Sequence, residues 1–247
     1  MSDGRYRTRM AETPADLEGA QRLRHQAFIA SDRDLAPTDG RDRDAFDSAC
    51  QHIMVEDRAT GRLVATLRLL PLGSGAEIGR SYSAQYYELK GLAGYKKPMV
   101  EVGRFCVERD VRDPDVLRAA WGALAGVVDA KGVEMLFGCS SFQGTDEQAY
   151  ADAFAMLKER HLAPKRWLPR IKAPNVFRFA QRLRRKPDPK RALRTMPPLL
   201  RSYLSLGGWV SDHAVVDRDL NTLHVFTGLE IRSIPPARAR ALRAVAG

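Results

Sequence analysis

Two charged residues lie inside an otherwise apolar stretch, Met99–Val107, which reads MVEVGRFCV. The stretch alternates as a half-buried strand does, yet Glu101 and Arg104 stand among valines and a phenylalanine, where a charge needs a partner. Gly103 has no side chain to pack, which predicts a bulge or a close approach by another backbone or a ligand. A carboxylate, a guanidinium and a glycine on one strand are typical of a chemical site. A structural ion pair between the two charges is the alternative.

Thiol and metal chemistry receive little support from the sequence. The three cysteines lie far apart without a C-x-x-C pair, which argues against a disulfide framework and favours a reducing cytoplasm. Cys139 has no histidine near it in sequence, so we interpret it as a small buried residue and not as a covalent nucleophile. The five histidines show no metal-ligand spacing, and we therefore predict no metal.

Positive charge is concentrated in one segment. Residues 164–194 hold twelve Lys or Arg and one acidic residue, Asp188, whereas the whole chain of 247 residues carries a formal net charge of +10. Aromatic and aliphatic side chains are interleaved with the cations, which predicts an amphipathic surface element that meets an acidic protein, an anionic membrane or nucleic acid. No nucleic-acid motif supports the third partner, so we rank it below the other two. No apolar run approaches ~20 residues, and we expect no membrane span.

The elements that must hold these residues follow from capping and periodicity. A strand at residues 6–10 precedes a helix that Thr13 and Pro14 start and that runs to about Phe28, with Arg24 off its apolar face. The other predicted elements are a mobile polar loop at 29–43, a short helix at 45–50, hairpin strands at 52–56 and 63–70, a helical turn near 86–92, a helix at 113–131 ended by Gly132, a strand at 133–139, a helix at 145–160, a helix at 197–206, strands at 209–216 and 224–231, and a closing helix at 237–245.

Three stretches carry a resemblance to a known family: VEVGRFCV at residues 100–107, GCSSFQG at 138–144 and PPLLRSYLSLGGWVSDHAVVDRDLNTLHVF at 197–226. Together they resemble the ornithine N-acyltransferases, which make lyso-ornithine lipid from an acyl carrier protein thioester. The order of elements likewise resembles the GNAT-like N-acyltransferase fold, an α/β fold with a central mixed sheet flanked by helices. The resemblance implies a single domain over residues 1–247, with a basic amphipathic helical insertion at 164–208 before the last two strands.

A weaker resemblance to the acyl-homoserine lactone synthases concerns the pattern of charges. It implies that the following residues form one cluster beside the acyl site, where they bind the acceptor: Arg24, Phe28, Asp44, Asp47, Arg68, Glu101 and Arg104. A solvated surface network is the alternative for these charges. The synthases carry a tryptophan after the first helix, whereas residues 29–42 contain no aromatic residue, which argues against homoserine lactone chemistry.

Amide formation from a thioester needs a neutral amine, a base for its proton, a donor for the developing oxyanion and a leaving thiol. We expect Glu101 to accept the proton, directly or through water, and a backbone N–H beside Gly103 to polarise the carbonyl, with Arg104 the third predicted catalytic residue. By resemblance, the carboxylates of the cluster hold the cationic acceptor and the arginines hold its carboxylate. Ser140 and Ser141 are expected to bind the pantetheine arm or to protonate the thiolate, the alternative being capping of the next turn.

The donor prediction has a separate physical argument. Coenzyme A enzymes of this fold hold the pyrophosphate with a Gly-rich turn at a helix N-terminus. The equivalent turn here, ERDVRDPD at residues 108–115, has no glycine and carries four acidic residues. A carrier protein brings a single phosphate on its pantetheine arm and gains affinity through its acidic surface. We therefore expect acyl carrier protein as co-substrate and no separate cofactor.

The sequence thus predicts an enzyme that transfers a 3-hydroxyacyl chain from acyl carrier protein to the α-amine of L-ornithine, the first step of ornithine lipid synthesis. Alternatives are another amino acid acceptor such as glutamine, or a non-catalytic basic module that binds membranes. The lyso-lipid must leave into a bilayer, so we expect a cytoplasmic protein, peripheral at the inner face of the cytoplasmic membrane. The residues predicted to contact the carrier protein or the membrane are Arg109, Arg112, Lys165, Arg166, Trp167, Arg170, Lys172, Phe177, Arg178 and Arg182.

Overall fold

The computed structural model of the chain describes residues 4–29 and 39–246. The strands are β1 (Tyr6–Met10), β2 (Gln51–Asp57), β3 (Leu63–Leu72), β4 (Tyr87–Glu88), β5 (Met99–Val107), β6 (Met135–Gln143), β7 (Arg170–Ile171), β8 (Val176–Phe177), β9 (Trp209–Val210), β10 (Ala214–Asp217) and β11 (Thr222–Glu230). The helices are α1 (Pro14–Phe28), α2 (Lys90–Ala93), α3 (Asp115–Lys131), α4 (Ala151–Arg160), α5 (Phe179–Arg182), α6 (Pro189–Thr195), α7 (Pro198–Ser205) and α8 (Pro236–Ala246).

These elements form two compact units. The first comprises Met1–Pro71, Glu101–Val133 and Pro236–Gly247, and it holds the strand order β1, β2, β3, β5. Here β1 pairs antiparallel with β2, and β2 with β3, which confirms the predicted hairpin. Helix α1 begins with a capping box, because the Thr13 hydroxyl accepts the Asp16 N–H and the Asp16 carboxylate accepts the Thr13 N–H. Gly132 ends α3 in the left-handed conformation at a φ of 58°, as predicted.

The second unit comprises Leu72–Val100 and Glu134–Pro235. Its strand order is β6, β11, β10, β8, all antiparallel, with β9 also pairing with β11 and an isolated parallel bridge between Leu162 and Val210. Helix α4 covers one face of this sheet, where Phe142, Phe154 and Leu223 belong to one buried cluster. The predicted α/β class, with strands of both senses flanked by helices, is confirmed.

One predicted element is wrong and two differ in their bounds, and polar side chains account for each. Residues 45–50 form turns and no helix, since the Asp44 carboxylate accepts the Phe46 N–H at 2.9 Å. Helix α4 begins six residues late because Asp146 instead caps a short 3₁₀ turn. The strand predicted at 209–216 breaks between β9 and β10, where the Ser211 hydroxyl donates to the His213 carbonyl at 2.7 Å.

The basic segment, residues 164–194, contains the short strands β7 and β8 as well as helices. The prediction that Phe177 contacts a membrane or carrier protein is wrong, because this side chain is 3% exposed. Its strand pairs Phe177 with Ala214 of β10, and its ring packs edge-on against Phe154 at 5.4 Å between centroids. Phe177 therefore belongs to the core. Most of the predicted loop at 29–43 lies outside the described residues.

Candidate active site

A buried group of alternating charges lies in the first unit. Arg24 donates from Nε to Asp42 at 3.0 Å, and its two terminal nitrogens bind the two Asp47 carboxylate oxygens at 2.8 and 3.0 Å. The Arg24 side chain is 1% exposed, so the prediction that it lies off the buried face of α1 is wrong. A guanidinium can be buried here because carboxylates from the next segment of chain satisfy it.

Two further arginines close this group into a ring. Arg68 on β3 binds Asp44 at 2.6 Å and Asp47 at 2.9 Å. Arg104 on β5 binds Asp42 at 3.0 Å and Asp44 at 3.4 Å. Each aspartate thus bridges two arginines, in the closed order Arg24, Asp47, Arg68, Asp44, Arg104, Asp42, which we call the charge ring. The predicted cluster of Arg24, Asp44, Asp47, Arg68 and Arg104 is brought together, and Asp42 completes it.

The charge ring has an inner side and an outer edge. The side chains of Arg24, Arg68 and Asp47 are 1%, 3% and 6% exposed, whereas those of Arg104 and Asp44 are 13% and 23% exposed. A solute can therefore reach Asp44 and Arg104, while the inner members position them. Phe28, at the end of α1, is half-buried, and its contact with an acceptor stays a prediction.

Neutral side chains that were not predicted also support the charge ring. Gln21 donates to Asp47 at 2.9 Å, and the Phe46 ring lies 5.5 Å from the Arg68 guanidinium carbon. Burial alone would raise the pKa of Asp47, but the hydrogen bonds from Arg24, Gln21 and Arg68 hold it well below its ordinary value. Asp47 therefore stays ionised at neutral pH.

The backbone of β5 departs from an extended strand at Arg104, whose φ is 49°. This left-handed conformation is unfavourable for a residue with a side chain, and the bonds to Asp42 and Asp44 hold it. The predicted close approach at the neighbouring Gly103 is not found, since a Cβ there would lie 3.9 Å from Nε of Arg68, an ordinary van der Waals contact. The unusual backbone conformation on this strand therefore belongs to Arg104 and not to Gly103.

Glu101 is 5% exposed. Burial raises the pKa of the Cys50 thiol to about 11, and the carboxylates of Glu101, Asp44 and Asp47 add to this rise while Arg68 opposes it. Glu101 therefore lies within electrostatic reach of the same thiol as Arg68, Asp44 and Asp47. The site thus brings a fourth carboxyl group close to the three aspartates of the charge ring.

Burial lowers the pKa of His52, whose Nε2 lies 3.2 Å from the Asp47 carbonyl oxygen. The unfolded chain then binds a proton below ~6.5 that the folded chain does not bind, so stability is full above ~6.5 and falls as the pH drops toward the folded-state pKa. We expect thermal melts to show a falling Tm between about pH 6.5 and 5, and His52→Gln to remove part of that fall. His25→Gln is the control, and an equal fall in both variants would contradict the assignment.

Ser140 and Ser141 belong to the second unit and point to opposite faces of β6, since side chains alternate along a strand. Ser140 is 4% exposed and accepts a hydrogen bond from the Thr227 hydroxyl at 2.9 Å. Ser141 is exposed, and its contact with a pantetheine arm stays a prediction. Cys139 is half-buried, with its sulfur 3.5 Å from the Ser83 hydroxyl.

The other residues predicted to contact a carrier protein or membrane differ in exposure. Trp167 is half-buried, packs edge-on against Tyr95 at 5.5 Å and lies under the Arg166 guanidinium at 4.9 Å. The remaining cations are at least partly exposed: Arg109, Arg112, Lys165, Arg166, Arg170, Lys172, Arg178 and Arg182. Their contacts with a partner stay predictions.

Comparison with known proteins places this site in a family. A family model described as an acetyltransferase (GNAT) domain matches residues 23–122, which contain the charge ring and Glu101. The chain is 35% identical over 238 residues to the L-ornithine N(alpha)-acyltransferase of Rhodobacter capsulatus, and the match covers 93% of this chain and 91% of that protein. The chain belongs to the L-ornithine N(alpha)-acyltransferase family.

A second member of this family, from Rhizobium meliloti (strain 1021), is 30% identical over 92% of this chain and 80% of its own length. A solved CoA-dependent acyl-homoserine lactone synthase, with SAM and isopentyl-CoA, has a TM-score of 0.50 at 15% identity over 95% of this chain and 83% of that chain. At this identity the structural likeness shows the fold alone. The chain is therefore an acyltransferase of the L-ornithine N(alpha)-acyltransferase family with the GNAT fold.

None of the helices in residues 4–29 and 39–246 is both long and apolar enough to cross a bilayer. Over the same residues, no group of three or more His, Cys, Asp or Glu side chains is arranged to hold a metal ion.

Proposed function

We propose that this acyltransferase transfers a 3-hydroxyacyl chain from acyl carrier protein to the α-amine of L-ornithine and so forms lyso-ornithine lipid. The observation that carries the proposal is the outer edge of the charge ring, where the partly exposed Asp44 carboxylate and Arg104 guanidinium lie side by side. L-Ornithine at neutral pH has two ammonium groups and one carboxylate, so this edge offers it groups of opposite charge for both. The names of the relatives support the same acceptor.

The outer edge of the charge ring provides the proposed contacts with the acceptor. Asp44 accepts from the side-chain ammonium of ornithine, and Arg104 donates to its carboxylate. Both side chains are partly exposed, whereas Arg24 and Asp47 are too deeply buried to contact a solute and act by positioning. Glutamine lacks the side-chain ammonium and leaves Asp44 without its ligand.

The proposed chemical step is one acyl transfer. The neutral α-amine attacks the thioester carbonyl, the C–N bond forms, the C–S bond breaks, and the pantetheine thiolate leaves. Glu101 accepts the proton that the nitrogen loses, directly or through one water. A backbone N–H beside Gly103 stabilises the oxyanion. A strand with irregular pairing can present a backbone N–H that does not hydrogen-bond to the neighbouring strand.

The turn before α3 supports a carrier protein as donor. The Asp113 carboxylate accepts the Asp115 N–H at 2.9 Å and the Tyr6 hydroxyl at 2.8 Å. A negative charge thus occupies the helix terminus at which a pyrophosphate would otherwise bind. Arg109 and Arg112 belong to this turn and are the proposed contacts for the acidic surface of the carrier protein. The single-chain product must then enter a bilayer, so we place the enzyme at the inner face of the cytoplasmic membrane.

The test is to incubate the full chain with 3-hydroxyacyl carrier protein or with the same acyl group on coenzyme A, and with ornithine, lysine or glutamine. Products are read by mass spectrometry. The expected result is N-acylated ornithine from the carrier protein. A faster reaction with the coenzyme A thioester would contradict acyl carrier protein as the donor. Preferred acylation of glutamine would contradict ornithine as the acceptor.

Asp44→Asn is expected to raise the KM for ornithine about 10-fold or more, because a charge-assisted hydrogen bond to the substrate ammonium is lost. Steady-state kinetics over a range of ornithine concentrations measure this. Asp39→Asn is the matched control: it removes the same charge from an exposed carboxylate that pairs with Arg43 at 2.9 Å. Equal KM values in the two variants would place the acceptor elsewhere.

A further inference from the structure

One helix of the basic segment exposes a large apolar side chain. Leu193 on α6 is 49% exposed, and the other large apolar side chains exposed by more than a third in the described residues, Leu162 and Ile171, are each 37% exposed. Of the two aromatic residues that the sequence placed at an interface, Phe177 is buried and Trp167 is half-buried. The most exposed large apolar side chain of this segment is therefore Leu193 on α6.

The inner side of α6 is fixed to the second unit. Ala192 and Met196 are 0% and 2% exposed and belong to the buried cluster that also contains Phe154 of α4. Asp152, a carboxylate that is 5% exposed, accepts from Arg185 at 2.7 Å and lies 3.4 Å from Arg191. These two contacts hold α6 and the segment before it against α4, and the two cations share one carboxylate.

The outer side of α6 presents Lys190, Leu193 and Arg194, which share one face because they are three and four residues apart. All three side chains are exposed, as are Arg184 and Lys186 just before the helix. Over residues 4–29 and 39–246, no acidic side chain forms a salt bridge with any of these four cations. Leu193 is therefore an exposed aliphatic side chain bordered by four cations, and none of these cations forms a salt bridge within the described part of the chain.

We infer that this α6 face, composed of Arg184, Lys186, Lys190, Leu193 and Arg194, docks on an anionic lipid bilayer. Leu193 enters the boundary between headgroups and acyl chains, and the cations bind the headgroup phosphates. A fluid lipid surface offers negative charge at any position, which suits flexible cations without fixed partners, whereas a protein partner needs charges in matching register. That the enzyme meets lipid at all rests on the proposed function, since its product is a lipid.

The test is co-sedimentation of the full chain with vesicles of phosphatidylcholine, with or without about 30% phosphatidylglycerol, in the absence of substrates. We expect binding that depends on the anionic lipid. Lys190→Glu with Arg194→Glu should lower the bound-to-free ratio at least ~10-fold. Leu193→Ser should lower it about 3- to 10-fold. Because no substrate is present, the result is independent of whether the chain acylates ornithine.

Matched controls change the same chemistry elsewhere. Lys96→Glu with Lys97→Glu reverses two exposed charges, and Leu162→Ser removes an exposed leucine that lies outside α6. Both should bind vesicles as the unaltered chain does, and thermal melts check folding of all variants. Equal losses in the control pair, or binding indifferent to phosphatidylglycerol, would overturn the inference. Retained vesicle binding with a raised KM for carrier protein in the α6 variants would assign this face to the carrier protein instead.

Discussion

Arg24→Ala is expected to lower the free energy of unfolding by about 3 to 5 kcal/mol, the typical cost of removing one partner from a buried ion pair. Asp42 and Asp47 would remain buried, and each would lose one of its two guanidinium partners. The loss exceeds the interaction itself, because a buried carboxylate without compensation keeps its full desolvation cost. Urea titration followed by circular dichroism measures the change.

Arg22→Ala is the control for this prediction. Arg22 lies two residues away on α1, but its side chain is 60% exposed and pairs with Glu18 one turn earlier. Such a surface pair contributes about 0.3 to 0.5 kcal/mol, so the control should be close to the unaltered chain. If the two variants lost similar stability, Arg24 would be a surface residue in solution and the charge ring would not be a structural unit.

Much of the fold follows from local signals in the sequence. Thr13 with Pro14 marks the start of α1 and Gly132 marks the end of α3, because capping depends on residue types within one turn. The predictions failed where an aspartate or serine side chain competes with the backbone. Asp44 turns the predicted helix at residues 45–50 into turns, since its carboxylate accepts a nearby N–H that the helix would leave free.

The charge ring could be predicted only in part. Five of its six members were suggested by resemblance, whereas periodicity placed Arg24 off the apolar face of α1, because an isolated guanidinium on a helix is normally solvated. Asp42 was missed, although the spacing of acids at 42, 44 and 47 in the segment that follows α1 is a usable signal. Their convergence on Arg24 depends on the path of the chain through long-range contacts, which local patterns do not encode.

The exposure of side chains in the basic segment could also be predicted only in part. Cations interleaved with aromatic residues predicted an amphipathic surface, and the cations are largely exposed. Phe177 is nevertheless buried because β8 pairs with β10 in the sheet. A strand of two residues is too short for its pairing to be predicted from the sequence. The exposed apolar residue is Leu193, which composition alone does not distinguish from a core leucine.

Glu101→Gln is expected to lower kcat for ornithine acylation about 10²- to 10⁴-fold, the usual contribution of a general base. The substitution preserves the shape of the side chain but replaces one acceptor oxygen by an NH2 donor and removes the ability to accept a proton. Because the amide has nearly the same volume as the carboxylate, it fits the same buried space, and thermal melts check that the variant is folded. Rates at saturating ornithine and carrier protein measure the effect.

The division between kcat and KM separates a base from a binding group. If Glu101 takes the proton, kcat falls while the KM for ornithine changes by less than ~3-fold; if it only positions the amine, KM rises and kcat is retained. Glu108→Gln is the matched control, because Glu108 follows the same strand and pairs with the exposed Arg62. Near-normal kcat in Glu101→Gln would remove Glu101 from the proton transfer.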